Sequence, residues 1–288
     1  MIGTPILVLS ALISMTLGEK WNYSNFGIDW VGSDCDKREE KSQSPIDIIT
    51  KECRCNDKIS LDIDFIEGVD LSASLKMFGN PLGPKLLLNS QFAHLSQSSS
   101  KKRRTYKAFE LVFRAPSEHS IDAIRFPLEL QISFRSTNDE ILGLSLLFNL
   151  STKGISNVIF EDFLDNLRVA NMTTGSSAVL KNYSNYNKIL TENLDFYQYM
   201  GTMTDTDCSR EVTWIVLKQR LWAKKESVTE FQNLLEKMTG VNQNARLIQP
   251  SNSRIVLYSS DRCSYEFANI AWLSLMYAGL VYFTYKML

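Results

Sequence analysis

The chain has 288 residues, of which 44% are hydrophobic and 22% are charged, so it holds enough apolar material for one large core. The formal net charge of −1 argues against a general nucleic-acid-binding protein. His94 and His119 are the two histidines, too few for a metal site built from several imidazoles.

Residues 1–18 form an apolar run with small residues near its end, followed by Glu19 and Lys20. This pattern predicts a secretory signal peptide that lacks a basic start, with a buried N-terminal helix as the alternative. The mature domain is expected over residues 19–260. Four Asn-x-Ser/Thr sequons fit a secreted chain and are candidate glycosylation sites: Asn22, Asn149, Asn171 and Asn182.

Residues 59–88 predict short strands and turns, since Gly-Asn-Pro and Gly-Pro interrupt them. Residues 96–104 predict a flexible polar loop, and His94 just before it is expected to be a surface or loop histidine. The loop ends in four cations that form a candidate binding patch for sulfated glycans or acidic headgroups: Lys101, Lys102, Arg103 and Arg104. A solvated loop open to proteases is the simpler interpretation.

Residues 107–134 predict two strands joined by a polar turn, and the rest of the chain is organised around them. On each strand, apolar residues alternate with a mixed set. The mixed sets are Glu110, Val112 and Arg114 on the first strand, and Glu129, Gln131 and Ser133 on the second. Such a face is neither plain core nor plain solvent, and it indicates a lined cleft on an antiparallel sheet.

Three further segments have clear patterns. Residues 141–148 are a nearly continuous apolar run, which predicts a strand buried on both faces. Residues 159–170 and 227–238 have helical spacing with one apolar face, so each predicts a surface helix.

Residues 267–285 are almost free of charge and are about long enough to cross a bilayer. Aromatic residues near both ends and Lys286 at the exit predict a transmembrane helix over residues 267–287. A lipid-anchor signal is the rival interpretation, because small residues at 259–260 precede the run, and a buried core helix is the third. Either tether would place the domain in the secretory pathway, on the outside of the cell or in a lumen.

Segments spread along the chain resemble the α-carbonic anhydrase family. They are Ser-Gln-Ser-Pro-Ile-Asp-Ile at 42–48, Ala-Pro-Ser-Glu-His-Ser-Ile-Asp at 115–122, Tyr-Gln-Tyr-Met-Gly-Thr-Met-Thr-Asp-Thr-Asp-Cys at 197–208, and Asn-Ala-Arg-Leu-Ile-Gln-Pro-Ser-Asn-Ser-Arg at 244–254. The resemblance covers residues 21–258. It implies a mainly β (α+β) fold, with a large twisted antiparallel or mixed central sheet and peripheral helices.

In that family three histidines hold a catalytic zinc, and the matching positions here are Val112, Arg114 and Gln131. Valine has no donor atom, arginine stays protonated and repels a cation, and a neutral amide is a poor zinc ligand. The resemblance therefore implies a member without metal, cofactor or catalytic activity. An active carbonic anhydrase with atypical ligands is the alternative.

Other positions of the family's site carry over. Thr204 matches the threonine that accepts the proton of zinc-bound hydroxide, and Glu118 matches its carboxylate partner. Glu129 matches a residue that braces a zinc ligand, and here it is expected to hold Gln131 or Arg114. Asp205 stands where the family has threonine, and we expect it to pair with Arg114, offsetting the cost of burying either charge.

His119 is expected to brace the turn by hydrogen bonds. The resemblance also implies a disulfide between Cys35 and Cys208. Cys53 and Cys55 are too close to bridge each other without strain, so one of them is expected to pair with Cys263. Which one pairs, and whether the other thiol is free or intermolecular, stays open.

The function expected from these features is that of a catalytically inactive domain tethered to a membrane. Family members without zinc histidines serve as adhesion or partner-binding domains, which points to a protein partner or an anionic glycan. A subunit of a membrane assembly is a further possibility, because Ser274, Ala278 and Gly279 would allow close helix packing.

Overall fold

The computed structural model describes residues 21–30, 35, 42–56, 58–65, 71–77, 83–88, 93–99, 102–170, 176–180, 194–205, 208 and 210–260. The predicted signal peptide at 1–18 and the predicted C-terminal span at 267–287 lie outside these residues. So do Glu19, Lys20, Lys101, Asn171, Asn182 and Cys263.

Strands dominate the described part of the chain. In order they are Asp47–Ile48 (β1), Arg54–Cys55 (β2), Ile59–Phe65 (β3), Leu71–Met77 (β4), Pro84–Leu88 (β5), Ala93–Ser99 (β6), Lys102–Arg114 (β7), Ser120–Ile121 (β8), Ile124–Arg125 (β9), Leu128–Ser136 (β10), Ile141–Ser151 (β11), Ser176–Leu180 (β12), Phe196–Thr202 (β13), Glu211–Lys224 (β14) and Leu257–Ser259 (β15). A short 3₁₀ turn, Thr50–Glu52, lies between the first two.

Most strands join one mixed 12-stranded sheet, whose main path runs β12-β4-β5-β7-β10-β11-β14-β13-β15-β2. Strand β6 pairs with both β3 and β7. Neighbours are mostly antiparallel, but β11 runs parallel to β14 and β15 parallel to β2. A small sheet, β1-β8-β9, accompanies the large one. The prediction of a mainly β fold with a large mixed central sheet is confirmed.

The α-helices of the described residues are Val158–Val169 (α1) and Lys225–Thr239 (α2), which confirms both predicted helices. The Asn157 side chain caps α1 by accepting from the Ile159 amide, and α2 ends at Gly240, which adopts a left-handed conformation. Across the described ranges, we find no helix with the length and apolar character needed to cross a membrane.

The core has two layers because the central strands bury both faces. Between the sheet and the helices, the Phe113 ring lies 5.0 Å from that of Phe160 and 4.8 Å from that of Phe163. On the other face, Leu147 and Trp214 belong to a second apolar cluster. Both faces of β11 are buried along most of its length, as its apolar run predicted.

The expectation of a flexible loop at 96–104 is wrong. Residues 93–99 form β6, and β7 begins at residue 102, with Leu95 paired to Tyr106 and Ser98 to Arg103. Backbone pairing does not depend on side-chain polarity, and Ala93 and Leu95 supply the buried residues that fix the register. His94 accordingly lies within a strand and not in a loop.

Candidate functional site

The candidate site lies on the two strands that the sequence singled out. Strands β7 and β10 are antiparallel, with Gln131 opposite Val112 and Glu129 opposite Arg114. The pairing of β10 with β7 shifts its register farther along, between Ser133 and Phe134. The exposed fractions of Val112, Arg114 and Gln131 are 3%, 3% and 5%. The three residues that the resemblance matches to zinc ligands therefore lie on neighbouring strands inside the protein.

Arg114 is buried, and hydrogen bonds and an ion pair surround its guanidinium. Its Nη1 donates to the Tyr23 hydroxyl at 2.8 Å and to the Asn244 carbonyl at 3.1 Å. Its Nε lies 3.3 Å from Gln131 Oε1 and 3.4 Å from Glu118 Oε2. Burial alone would lower the pKa of Arg114, but the negative charge of Glu118 leads the effects that raise it. The cation is therefore permanent and compensated.

Both ends of the Gln131 amide are occupied. Its Nε2 donates to Glu118 Oε2 at 2.8 Å and to Glu129 Oε1 at 3.0 Å. Its Oε1 faces Arg114 Nε and the Thr204 hydroxyl, the latter at 3.5 Å. Thr204 and Glu118, expected as partners by the resemblance, are thus each bonded to Gln131, whose amide lies between them.

Glu129 is the most heavily hydrogen-bonded carboxylate of the site. It accepts from the backbone amides of Glu118 and His119 at 2.7 and 2.9 Å and from the Ser145 hydroxyl at 2.7 Å, and it holds Gln131 as expected. Burial would raise the pKa of its carboxyl, but the His119 ring and these hydrogen bonds lower the pKa to about 2. Glu129 therefore stays ionised.

The His119 imidazole links two strands below the turn, which confirms its bracing role. Its Nδ1 lies 2.7 Å from Glu129 Oε1, and its Nε2 lies 2.8 Å from the Tyr199 hydroxyl. With both nitrogens engaged and the ring fully buried, His119 is a structural residue.

The expected pair between Asp205 and Arg114 does not form. Asp205 Oδ2 instead lies 2.5 Å from Lys85 Nζ, and the Lys85 amine lies 3.4 Å from Glu110 Oε2. The long lysine stem lets β5 deliver a charge to the cleft, while Arg114 is taken by the nearer Glu118. Burial lowers the pKa of Lys85, but the negative charges of Asp205 and Glu110 outweigh this effect, so the pKa is raised above its ordinary value. Burial also raises the pKa of Glu110.

Lys85 was missed by reasoning from the sequence. It is 5% exposed, and the signal that could have revealed it is a single lysine inside the otherwise apolar strand β5. A lysine so deeply buried requires paired carboxylates.

The N-terminal arm closes the cleft. The Tyr23 side chain is 1% exposed, and its ring packs edge-on against Trp30 at 5.0 Å between centroids. The predicted disulfide between Cys35 and Cys208 is present, with the Cα atoms 5.0 Å apart, and it joins the arm to the segment that follows β13. Tyr23 is the second site residue that the sequence did not reveal.

The remaining cysteines resolve in part. Cys55 is disulfide-bonded, whereas Cys53 is a free thiol whose Sγ lies 3.4 Å from the Ile49 carbonyl oxygen. Burial raises the pKa of Cys53 to about 11, so it is a weak nucleophile at neutral pH. The predicted partner, Cys263, lies outside the described residues.

In the candidate anion-binding patch, Arg103 and Arg104 are exposed and each is paired with an acidic residue. Arg103 pairs with Asp62 at 3.6 Å and Arg104 with Glu140 at 3.4 Å, both in solvent-exposed ion pairs. Lys102 begins β7, so the patch extends along a strand rather than a loop.

Comparison with known proteins assigns the chain to a family. Residues 27–260 match the family model described as eukaryotic-type carbonic anhydrase, which covers most of the chain. The chain belongs to the eukaryotic-type carbonic anhydrase family. The resemblance seen in the sequence motifs is thereby confirmed.

Curated relatives of this carbonic anhydrase-family chain include dioscorin DB3S from Dioscorea polystachya, 28% identical over 172 residues, or 58% of this chain and 60% of the relative. A carbonic anhydrase from Pectobacterium carotovorum is 26% identical over 54% of this chain and 59% of the relative. The matched region spans about three-fifths of the length of these proteins.

Solved structures share the fold. A halotolerant carbonic anhydrase from Dunaliella salina superposes with a TM-score of 0.67 at 18% identity, covering 83% of this chain and 98% of that chain. A dioscorin complexed with ascorbate superposes with a TM-score of 0.64 at 21% identity, covering 78% of this chain and 88% of that chain.

The residues at the family's zinc positions do not fit the metal. Val112 offers no donor, Arg114 is a buried cation, and both ends of the Gln131 amide are committed to hydrogen bonds. Throughout the described ranges, no group of three or more histidine, cysteine, aspartate or glutamate side chains is arranged to hold a metal ion. A dication here would also face the guanidinium directly.

Proposed function

We propose that this chain is a catalytically silent carbonic anhydrase-like domain that acts as a binding or structural module on a membrane of the secretory pathway. The observation that carries the proposal is the Arg114 guanidinium, which is bonded to Tyr23, Gln131, Asn244 and Glu118. The resemblance matches this position to a zinc ligand of the family. A permanent cation in that position repels a metal ion and supplies none of the chemistry that zinc would provide.

The chemistry of carbon dioxide hydration supports the proposal that the domain is inactive. Carbon dioxide hydration at neutral pH requires a water whose pKa has been lowered to about 7, and in this family zinc does so. Among the buried groups of this site, Lys85 and Arg114 are already paired with carboxylates, and Glu129 is committed to five hydrogen bonds. None of these groups is left to activate a water molecule.

The test is a zinc measurement combined with stopped-flow carbon dioxide hydration on the full chain, before and after incubation with zinc. We expect no stoichiometric zinc and hydration at the rate of buffer alone. The Pectobacterium carotovorum carbonic anhydrase provides the positive control in the same assay. Stoichiometric, dialysis-resistant zinc with hydration above the buffer rate would favour the alternative, an active enzyme with atypical ligands.

A second experiment asks whether only the ligands are missing. A variant with Val112→His, Arg114→His and Gln131→His restores the imidazoles but leaves Glu118 without its cation. We expect this variant to be less stable than the parent and to bind zinc weakly. Tight zinc binding with full stability would show that the surrounding charges do not matter.

The membrane tether is part of the proposal and rests on the apolar run at 267–285. We expect the full chain to resist extraction from membranes by alkaline carbonate and a chain ending at residue 260 to be released. Release of both forms would contradict a spanning helix. Release of the protein from membranes into the supernatant by a phosphoinositide-specific phospholipase would instead identify a lipid anchor.

The partner is proposed to be a protein or an anionic glycan, with no role for nucleic acid. Co-purification of the membrane form in mild detergent tests the first. Retention on a heparin column tests the second, with glutamine replacing the basic patch at 101–104. Salt-sensitive retention that this variant loses would identify the patch as the contact.

A further inference from the structure

We infer that Asn149 carries an N-linked glycan whose first sugar packs on the exposed indole of Trp222 and covers an apolar spot at the end of the sheet. The inference concerns a surface remote from the cleft, and it rests on the secretory location proposed above. It does not depend on whether the cleft is catalytic.

The two residues are neighbours across parallel strands. Asn149 of β11 is the register partner of Trp222 of β14, so their side chains leave the same face of the sheet side by side. The Trp222 side chain is 47% exposed, unusual for the largest apolar residue type. Strand β13 covers the other edge of β14 only from Glu211 to Leu217, so it ends well before this point.

A second flat pair, Arg220 and Phe126, lies near Trp222 on the side toward the rest of the protein. Arg220 precedes Trp222 by two residues on the same face, and its guanidinium lies 4.6 Å from the centre of the Phe126 ring. The stacked Arg220–Phe126 pair therefore lies on the same face of the sheet as Trp222 and Asn149. An exposed aromatic ring such as the Trp222 indole suits the flat face of a pyranose ring, whose C–H groups form an apolar surface.

Asn149 is positioned as an acceptor. It is partly exposed, and in the described part of the chain its side-chain amide forms no hydrogen bond that modification would break. The sequence Asn149-Leu150-Ser151 is a complete sequon. Leu150 at the middle position points to the opposite face, so it does not compete for the indole.

The attachment is an ordinary group transfer. The Asn149 Nδ2 displaces the diphosphate of a lipid-diphosphate-linked oligosaccharide at the first sugar's C1. A C–N bond forms, the C1–O bond breaks, the amide loses one proton, and the lipid diphosphate leaves. No oxidant or reductant is required. The sugar then covers part of the apolar surface of the Trp222 indole, which is favourable because it removes that surface from water.

The experiment is a double-mutant cycle on the full chain, expressed in a glycosylating eukaryotic cell line and purified from its membranes in mild detergent. The four proteins are the parent, Asn149→Gln, Trp222→Thr, and the double variant. Peptide mapping is expected to find N-acetylhexosamine on Asn149 of the parent. Asn149→Gln is expected to lower Tm by about 3 °C in the parent and by less than about 1 °C when Trp222 is threonine. Trp222→Phe, which keeps an aromatic face, is expected to retain the coupling.

Two results would overturn the inference. One is an unmodified Asn149 in the membrane-purified protein; peptide mapping of the Cys35–Cys208 disulfide on the same sample separates this failure from a wrong cellular location. The other is a glycosylated Asn149 whose removal lowers Tm equally in both backgrounds, because that describes a glycan without contact to Trp222. Neither result bears on the zinc and hydration assays.

Discussion

At the scale of single residues, the cleft is held by groups whose charge is fixed by their neighbours. Glu129 shows this most clearly, because its five hydrogen bonds come from two backbone amides, an imidazole, an amide and a hydroxyl. A buried carboxylate so surrounded stays ionised, and it orients both Gln131 and His119.

Replacing Glu129 with glutamine is expected to destabilise the protein by about 3–5 kcal/mol, because an amide cannot accept all these bonds and adds two donors with no acceptor. Urea unfolding followed by fluorescence measures the loss. The matched control is Glu236→Gln on the exposed side of α2, where the same chemical change is expected to cost less than about 0.5 kcal/mol. Equal losses in the two variants would contradict the role given to Glu129.

The same carboxylate predicts an acid limit. Its folded pKa of about 2 is below the ordinary value, so its contribution to stability is fully present above the unfolded pKa. That contribution falls as the pH drops from about 4.3 toward 2. Between those values we expect the free energy of unfolding to fall more steeply in the parent than in Glu129→Gln. Parallel pH profiles would contradict this expectation.

At the scale of elements, the central hairpin was predictable and its surroundings were only partly so. The alternation on β7 and β10 placed Val112, Arg114 and Gln131 together, because side chains of a strand repeat with a period of two. The periodicity of the strands could not predict the contacts of Lys85 with Asp205 or of Tyr23 with Arg114. Tyr23 is 91 residues from Arg114 and Lys85 is 120 residues from Asp205, and no local pattern encodes such contacts.

The arm is the element that depends most on one covalent bond. Removing the disulfide with Cys35→Ser and Cys208→Ser frees a loop of 173 residues, and we expect a loss of about 4–5 kcal/mol in urea unfolding. The Tyr23 ring should then become more accessible, which fluorescence quenching of its neighbour Trp30 reports. Cys53→Ser is the control and should change neither quantity. A double variant as stable as the parent would show that packing alone holds the arm.

At the scale of the whole molecule, charge buried in the cleft links stability to alkaline pH. The pKa of Lys85 is raised above its ordinary value despite burial, so its contribution is fully present below a pH of about 10.4. The contribution is lost as the pH rises through the higher folded pKa. Lys85→Met is therefore expected to remove the part of the alkaline stability loss that comes from this residue.

The measurement is the free energy of unfolding in urea between about pH 8 and pH 11. Lys107→Met, an exposed lysine on β7, is the matched control and should follow the parent's profile. A Lys85→Met profile that is parallel to the parent's above pH 10 or so would contradict the assignment.

The charged groups of the cleft also limit which single substitutions the site tolerates. Arg114→His alone would remove the cation that is paired with Glu118. Asp205→Thr alone would remove the nearer carboxylate of Lys85 and leave only Glu110 beside it. Each of these single substitutions is expected to lower the stability of the fold, because an uncompensated buried charge costs more than a matched pair. The buried charges of the site are thus interdependent, so a metal site could be built at positions 112, 114 and 131 only by several coordinated substitutions.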